Sequence, residues 1–461
     1  MSLAAAVSPA SYPAAGWDWP IARRFSAWTI SAIAFVSAFV MEEPAPYELL
    51  LCLAFVVWIV FGLRLNRYIL PMVGLLLAYL AGGFLDLTQL PNPTDGMIYM
   101  LTTALLIASA IFWAAVVSHD TTDRLRLLKN GYIASALVAA LLGIAGYFHL
   151  FPGAEIFTRY DRIKGTFKDP NVFGPFVVLP IVFLYRDILI NRLRDSLGKA
   201  LILLVLLLAV FLAFSRAAWG MTAFAILAVT FLGFLTEQRS LGRLRILIYF
   251  GIGMMVIALL LVVALSIPAI SDLFSQRATL VEDYDAGHLG RFNRHILGFF
   301  LVQQRPLGIG PLQFALMFGE DEHNMWLKGF TTYGWLGGFS YIVLVVWTLY
   351  AAGRLLLKPR PWAGYLHCIF AVYLGQVMIH NVIDNDHWRH LFLLYGLLWG
   401  IIAADRLYLR DARRSAAELP LSPAGARDAE PVRAAFIERA SPRRSPPGIP
   451  RWRPPAPHLT S

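Results

Sequence analysis

From about residue 25 to about residue 405 the chain is a succession of apolar stretches, each about twenty residues long and parted by short polar breaks. A bilayer presents roughly 30 Å of hydrocarbon, which a helix crosses in about twenty residues, so stretches of this length repeated this often point to a membrane domain. Composition agrees: 58% of the 461 residues are hydrophobic and 15% charged, with a mean hydropathy of +0.61, far above what a water-soluble chain carries. In hydrocarbon every backbone N–H and C=O must be paired within the protein, which leaves helices and closed barrels. These stretches lack the two-residue alternation of barrel strands; they are runs of Leu, Ala, Val and Phe with interior Gly, suited to helices packed through small residues. The expected architecture is all-α, a polytopic membrane protein of about twelve transmembrane helices centred near residues 33, 55, 78, 108, 140, 181, 206, 226, 256, 343, 373 and 397. A long connection of about 268–328 separates the ninth from the tenth.

The segments flanking this 25–405 domain differ from it. Residues 1–24 begin with small side chains and Pro and no basic n-region, so a cleaved signal peptide is not expected and the N-terminus is placed in the cytoplasm. Residues 406–461 hold ten prolines, eleven arginines and five acids, which places more than half of the chain's net +10 there. They read as a basic, Pro-rich, disordered cytoplasmic tail, either a solvated topology anchor or a segment lying on anionic headgroups. Cys52 and Cys368 both fall in apolar stretches and supply neither a disulfide framework nor a thiolate metal site.

Lys and Arg hold cytoplasmic ends. One side of the bundle carries seventeen of them, Arg23 to Arg360, spread over every connection; the other carries eleven, ten of which lie in three connections, 151–170, 215–216 and 268–328. Even cations on one side and clustered cations on the other suggest topology signals inside and a functional cluster outside.

The outer connections also hold the unusual polar residues. Arg159 to Gly174, RYDRIKGTFKDPNVFG, places Arg159, Arg162, Lys164 and Lys168 beside Asp169 and Asn171 where Pro170 starts a helix. Cations and free N–H groups at a helix start form an anion site; an interfacial loop with snorkelling cations is the other reading. Ser215-Arg216 breaks two apolar runs, and a guanidinium at that depth calls for an anionic partner, whether phosphate, a structural Asp or a lipid headgroup. His323 follows Glu320, Asp321 and Glu322 and opens a new span, which suits either a general base oriented by one of those acids or a hydrogen-bonded surface residue. Asp384, Asp386, His387 and His390 crowd the last outer hairpin, as metal ligands without a recognised spacing or, the favoured alternative, as a packed hydrogen-bonded lid.

With these residues in view the chain resembles the O-antigen ligase family, which shares its membrane domain with O-antigen and exopolysaccharide polymerases. His323-Asn324, nine residues, then Gly334-Trp-Leu-Gly337 matches the family's pattern at the end of its long periplasmic loop. GTFKDPNVFG from Gly165, SRAAWG from Ser215, GRFNRH from Gly290 and PLGIG from Pro306 support it, over about residues 160–400. The resemblance implies a glycosyltransferase of the bacterial inner membrane with its site facing the periplasm. The donor would be a glycan on undecaprenyl pyrophosphate, and the acceptor a sugar hydroxyl of lipid A-core for a ligase or of another lipid-linked chain for a polymerase. It implies no metal and no other cofactor, and no nucleic acid partner; membrane lipid is the surrounding. His323 corresponds to the family's essential histidine, and Arg216 and Arg291 to the arginines that hold the pyrophosphate, doing electrostatically what a divalent cation does elsewhere. Arg162, Lys168, Asp169, Asn171, Arg294 and Asn324 take supporting positions.

The ligase is the first expectation and the polymerase the second. A small-anion transporter is a third, since twelve spans with intramembrane arginines suit one, but the halves of the chain show no internal repeat. The sequence has no P-loop or dinucleotide-binding fingerprint, in keeping with a donor whose pyrophosphate bond already stores the driving force.

Overall fold

The computed structural model describes residues 20–60, 65–277 and 290–418. The expectations for residues 1–19 and for the tail beyond 418 lie outside the described residues. In chain order the helices are α1 (Pro20–Val36), α2 (Pro46–Val60), α3 (Leu70–Asp86), α4 (Thr94–Val117), α5 (Thr121–Tyr147), α6 (Pro170–Ile190), α7 (Leu197–Leu212), α8 (Arg216–Thr236), α9 (Ser240–Leu265), α10 (Pro268–Arg277), α11 (Arg291–Gln304), α12 (Gln313–Phe318), α13 (Met325–Thr331), α14 (Gly334–Gly353), α15 (Ala363–Ile379) and α16 (Arg389–Glu418). Among the described residues strand is confined to the two-residue pair Thr158–Arg159 and Arg162–Ile163. Each of the twelve expected centres falls inside a helix, and α10 to α13 occupy the long connection.

Among the described residues nine helices are long and apolar enough to cross a bilayer, while α1, α2 and α15 are shorter apolar helices. The chain is an all-α, multi-pass membrane protein. In α9 only 6% of the apolar window is buried, and Leu241, Met255 and Leu259 are 81%, 67% and 64% exposed. Apolar surface on that scale is stable only against hydrocarbon. In contrast, 83% of the α6 window is buried, so α6 runs through the middle of the bundle.

The connections that the sequence assigns to the outer side come together at one end. The Val40 N–H donates to the Thr166 carbonyl at 3.0 Å, and Thr166 Oγ1 to the Ala38 carbonyl at 2.6 Å, so the connection before α2 meets the one before α6. Asp86 at the end of α3 accepts the Gly310 N–H at 2.8 Å, which fixes the long connection to the bundle. At the opposite end Asp187 takes Lys129 at 2.8 Å and Lys199 at 2.9 Å, tying α5, α6 and the start of α7.

The last helix corrects one expectation. The change of character expected at residue 406 does not end the helix, which continues to Glu418. Ala, Leu and Arg sustain helical backbone there, and Pro420 lies two residues beyond. Among the described residues, those up to Ala403 form one compact unit and those from Ala404 to Glu418 belong to a second.

The most extensive helix pairing is α3 with α14. It closes through glycine: a β-carbon at Gly82 would stand 2.7 Å from the Gly337 backbone nitrogen and nearer still to the Tyr333 carbonyl oxygen. The Tyr79 and Tyr333 rings stack beside it at 3.8 Å. Gly74, two turns earlier on α3, has open space around the same position. Gly82→Ala is therefore expected to destabilise the protein by about 1–3 kcal/mol through overpacking against backbone, whereas Gly74→Ala should be neutral or stabilising by up to about 1 kcal/mol. Thermal melts in detergent check this, and equal effects at the two positions would contradict the close approach.

Candidate functional site

The site is built where α13 begins. Asn324 caps that helix, its Oδ1 accepting the Leu327 N–H at 3.0 Å, and the preceding residue, His323, has the left-handed φ of +47°. Left-handed backbone is costly for a residue with a β-carbon, so its surroundings must impose it. They do so through Asp384, which reaches in from between α15 and α16. Its Oδ2 accepts the His323 N–H at 2.9 Å and its Oδ1 the Asn324 N–H at 2.7 Å. The same Oδ2 lies 3.9 Å from His323 Nδ1, and the imidazole is 40% exposed. The Met325 N–H donates to the His380 carbonyl at 2.8 Å, a second tie between the two segments.

Below His323 is an ion cluster. The Lys328 side chain is 7% exposed, with Nζ 3.6 Å from Glu322, 3.7 Å from Asp384 and 4.0 Å from Asp386. Burial works against its charge, but Asp386, Asp384 and Glu322 together hold its pKa well above the ordinary value. Burial likewise opposes charge on Asp386, yet Lys328 and His387 keep that carboxyl below its usual value. Glu322 is the exception: burial pushes its carboxyl up to about 7 against the pull of Lys328. Asp386 Oδ2 also accepts the Tyr99 hydroxyl at 2.5 Å and the Tyr333 hydroxyl at 3.0 Å. Taking away Lys328 alone would strand buried carboxylates, a loss on the order of 3–5 kcal/mol.

The candidates from the sequence fall into separate groups. Arg162 is buried and donates from Nε to the Ala213 carbonyl and from Nη2 to Asn171 Oδ1, each at 2.8 Å. Asp169 caps α6, its Oδ1 taking the Asn171 N–H at 2.7 Å, and lies 3.5 Å from Arg159. Lys168 pairs with Glu43 at 3.0 Å. Much of the expected anion site is thus engaged by protein groups: Arg162 ties the β-pair to the turn between α7 and α8. That turn leads to Ser215, whose hydroxyl caps α8, and to Arg216, half-buried as the first residue of α8. Arg291 opens α11, and its side chain lies outside the described residues. Arg294, three residues on, is buried and pairs with Glu320. Of the acids before His323, Glu320 turns to Arg294 and Glu322 to Lys328 and Thr331, and the carboxylate at the ring is that of Asp384.

In the last hairpin Asp384 and Asp386 share the Lys328 amine, while each of the four titratable residues also has a partner of its own. Asp384 faces His323, Asp386 faces Tyr99 and Tyr333, His387 Nε2 lies 2.9 Å from Thr103 Oγ1, and His390 packs on Trp388 and Phe176. Among the described residues no three His, Cys, Asp or Glu side chains converge to hold a metal ion. The hairpin is a packed, hydrogen-bonded element. Arg389 fastens it further, pairing with Glu48 and, at 3.5 Å, with Glu43. Beside it opens a cleft of about 300 Å³ lined by Glu43, Asp95, Tyr99, His387 and Arg389. Lys328, Tyr99 and Asp86 were not singled out in the sequence; the one signal available was charge within otherwise apolar helical stretches, which Lys328 and Asp86 share.

Glu322 makes a pH test possible. Its carboxyl titrates near 7 in the fold and near 4.5 as a free side chain, so the folded state binds that proton more tightly. The stability it contributes is fully present below about pH 4.5 and is lost as pH rises through 7. Glu322→Gln removes this dependence, and the melting temperature of the variant relative to wild type is expected to rise between about pH 4.5 and 8. An offset that does not change with pH would contradict the assignment.

Set beside known proteins, the chain matches no family model, no curated protein and no solved structure, so its own residues carry the functional reading.

Proposed function

We propose that the protein is a metal-independent glycosyltransferase of the bacterial inner membrane, of the O-antigen ligase type, moving a glycan from undecaprenyl pyrophosphate to a sugar hydroxyl of lipid A-core. In this reading all twelve apolar helices cross the membrane, the shorter α1, α2 and α15 included, and the end bearing His323 faces the periplasm. The observation that carries it is the seating of His323: a half-exposed imidazole whose backbone is gripped by one carboxylate, with that carboxylate 3.9 Å from the ring. An imidazole partly open to solvent and backed by a carboxylate suits a general base.

The acceptor hydroxyl gives its proton to His323 as its oxygen attacks the anomeric carbon of the donor. The bond from that carbon to the pyrophosphate oxygen breaks, and undecaprenyl pyrophosphate departs with the electron pair. Arg216 and Arg291 neutralise the charge that develops on it. Asn324 supports the step by capping α13 and holding the His323 turn. The same chemistry serves a polymerase, whose acceptor is another lipid-linked chain.

His323→Ala is expected to lower transfer by about 100- to 10,000-fold while the protein remains in the membrane. The check is the lipopolysaccharide gel profile of a deletion strain complemented with wild type or the variant, alongside undecaprenyl-linked glycan. Bare core with accumulated long lipid-linked glycan supports the ligase, and single repeats on the core the polymerase. Full capping by the variant overturns the proposal.

A further inference from the structure

The ion cluster beneath His323 takes no direct part in the proposed proton transfer, yet it shares an atom with it. Asp384 Oδ2 receives the His323 N–H at 2.9 Å, faces His323 Nδ1 at 3.9 Å, and lies 3.7 Å from Lys328 Nζ. Three carboxylates from two segments, Glu322 before α13 and Asp384 and Asp386 in the hairpin, surround that single amine within 4.0 Å. Without a cation among them they repel, and Asp384 is the least enclosed of the three: its side chain is 10% exposed, against 2% for Glu322 and 4% for Asp386. Glu322 is also held by Thr331 Oγ1, and Asp386 by two tyrosine hydroxyls. Glu322 and Asp386, each held by a hydroxyl of its own, therefore locate the amine, and the amine in turn holds Asp384.

We propose that Lys328 is a positioning residue for His323, holding the Asp384 carboxylate in the rotamer that grips the His323 and Asn324 N–H groups and aims the imidazole. The inference rests on the glycosyl-transfer reading. His323 keeps a left-handed φ only while both N–H groups are held, so a carboxylate that swings away releases the backbone and displaces the ring. A displacement of about 1 Å at a reacting group costs on the order of 100-fold in rate.

The test uses the full-length protein in detergent with undecaprenyl-pyrophosphate-linked glycan as donor and lipid A-core as acceptor. Lys328→Met combined with Glu322→Gln removes the amine together with one of its three carboxyls and keeps side-chain volume, and its melting temperature reports whether it folds. The expected result is a fall in kcat of about 100-fold with donor KM within about twofold of wild type, and no further loss when Asp384→Asn is added. Asp384→Asn alone, in which Lys328 keeps Glu322 and Asp386, is expected to show the same split and decides the matter if the double variant does not fold. Wild-type kcat in either variant, a parallel rise in KM, or additive losses overturns the inference. A wild type that transfers no glycan overturns the functional reading and the inference with it, whereas transfer that is normal in wild type and in the variants overturns the inference alone.

Discussion

One carboxylate accepting two consecutive backbone N–H groups holds the His323 end of this bundle together. Asp384 reaches from the last hairpin to His323 and Asn324, and the surrounding arrangement follows from keeping that buried acid in place. Lys328 answers its charge, Asp386 shares the amine, and Tyr99 and Tyr333 complete Asp386 from α4 and from the residue before α14. The result is a polar network in which most members have partners, as burial near hydrocarbon requires. A helix start, a hairpin and two apolar helices are thereby locked to one another.

Close backbone approaches likewise explain the spacing between His323 and Gly337. Gly334 has φ +62°, and a β-carbon there would stand 2.7 Å from the Leu307 carbonyl oxygen; the next N–H, of Trp335, donates to the Pro306 carbonyl at 2.8 Å. The Pro306–Gly310 stretch is thus pressed between α14 and the end of α3, where Asp86 takes the Gly310 N–H. Nine residues after Asn324 are what α13 and one turn need to reach this junction. The glycines of the pattern serve packing, while the histidine at its head is 40% exposed.

Much of the fold was legible in the sequence, because a span of about twenty apolar residues is a local signal: every expected centre lies in a helix. The end of α16 was misplaced because composition changes at 406 while helix-forming residues persist to Glu418. The site was legible only at its surface. His323 could be found from its motif, but its partner could not, since Asp384 lies 61 residues away, and Tyr99 meets Asp386 across 287 residues and Asp86 meets Gly310 across 224. Three acids directly before His323 made nearer candidates, and the structure turns two of them, Glu320 and Glu322, toward other cations. Pairings of such separation are set by helix packing, which no local pattern records.

The most direct measurement is release of undecaprenyl pyrophosphate by purified protein in proteoliposomes, in buffer containing a metal chelator. Donor glycan on undecaprenyl pyrophosphate is incorporated first, and lipid A-core is then added. Wild type is expected to release undecaprenyl pyrophosphate in step with elongation of the core, and His323→Ala to release almost none. No release by wild type, or equal release by both proteins, would contradict a transferase that works through the imidazole held by Asp384.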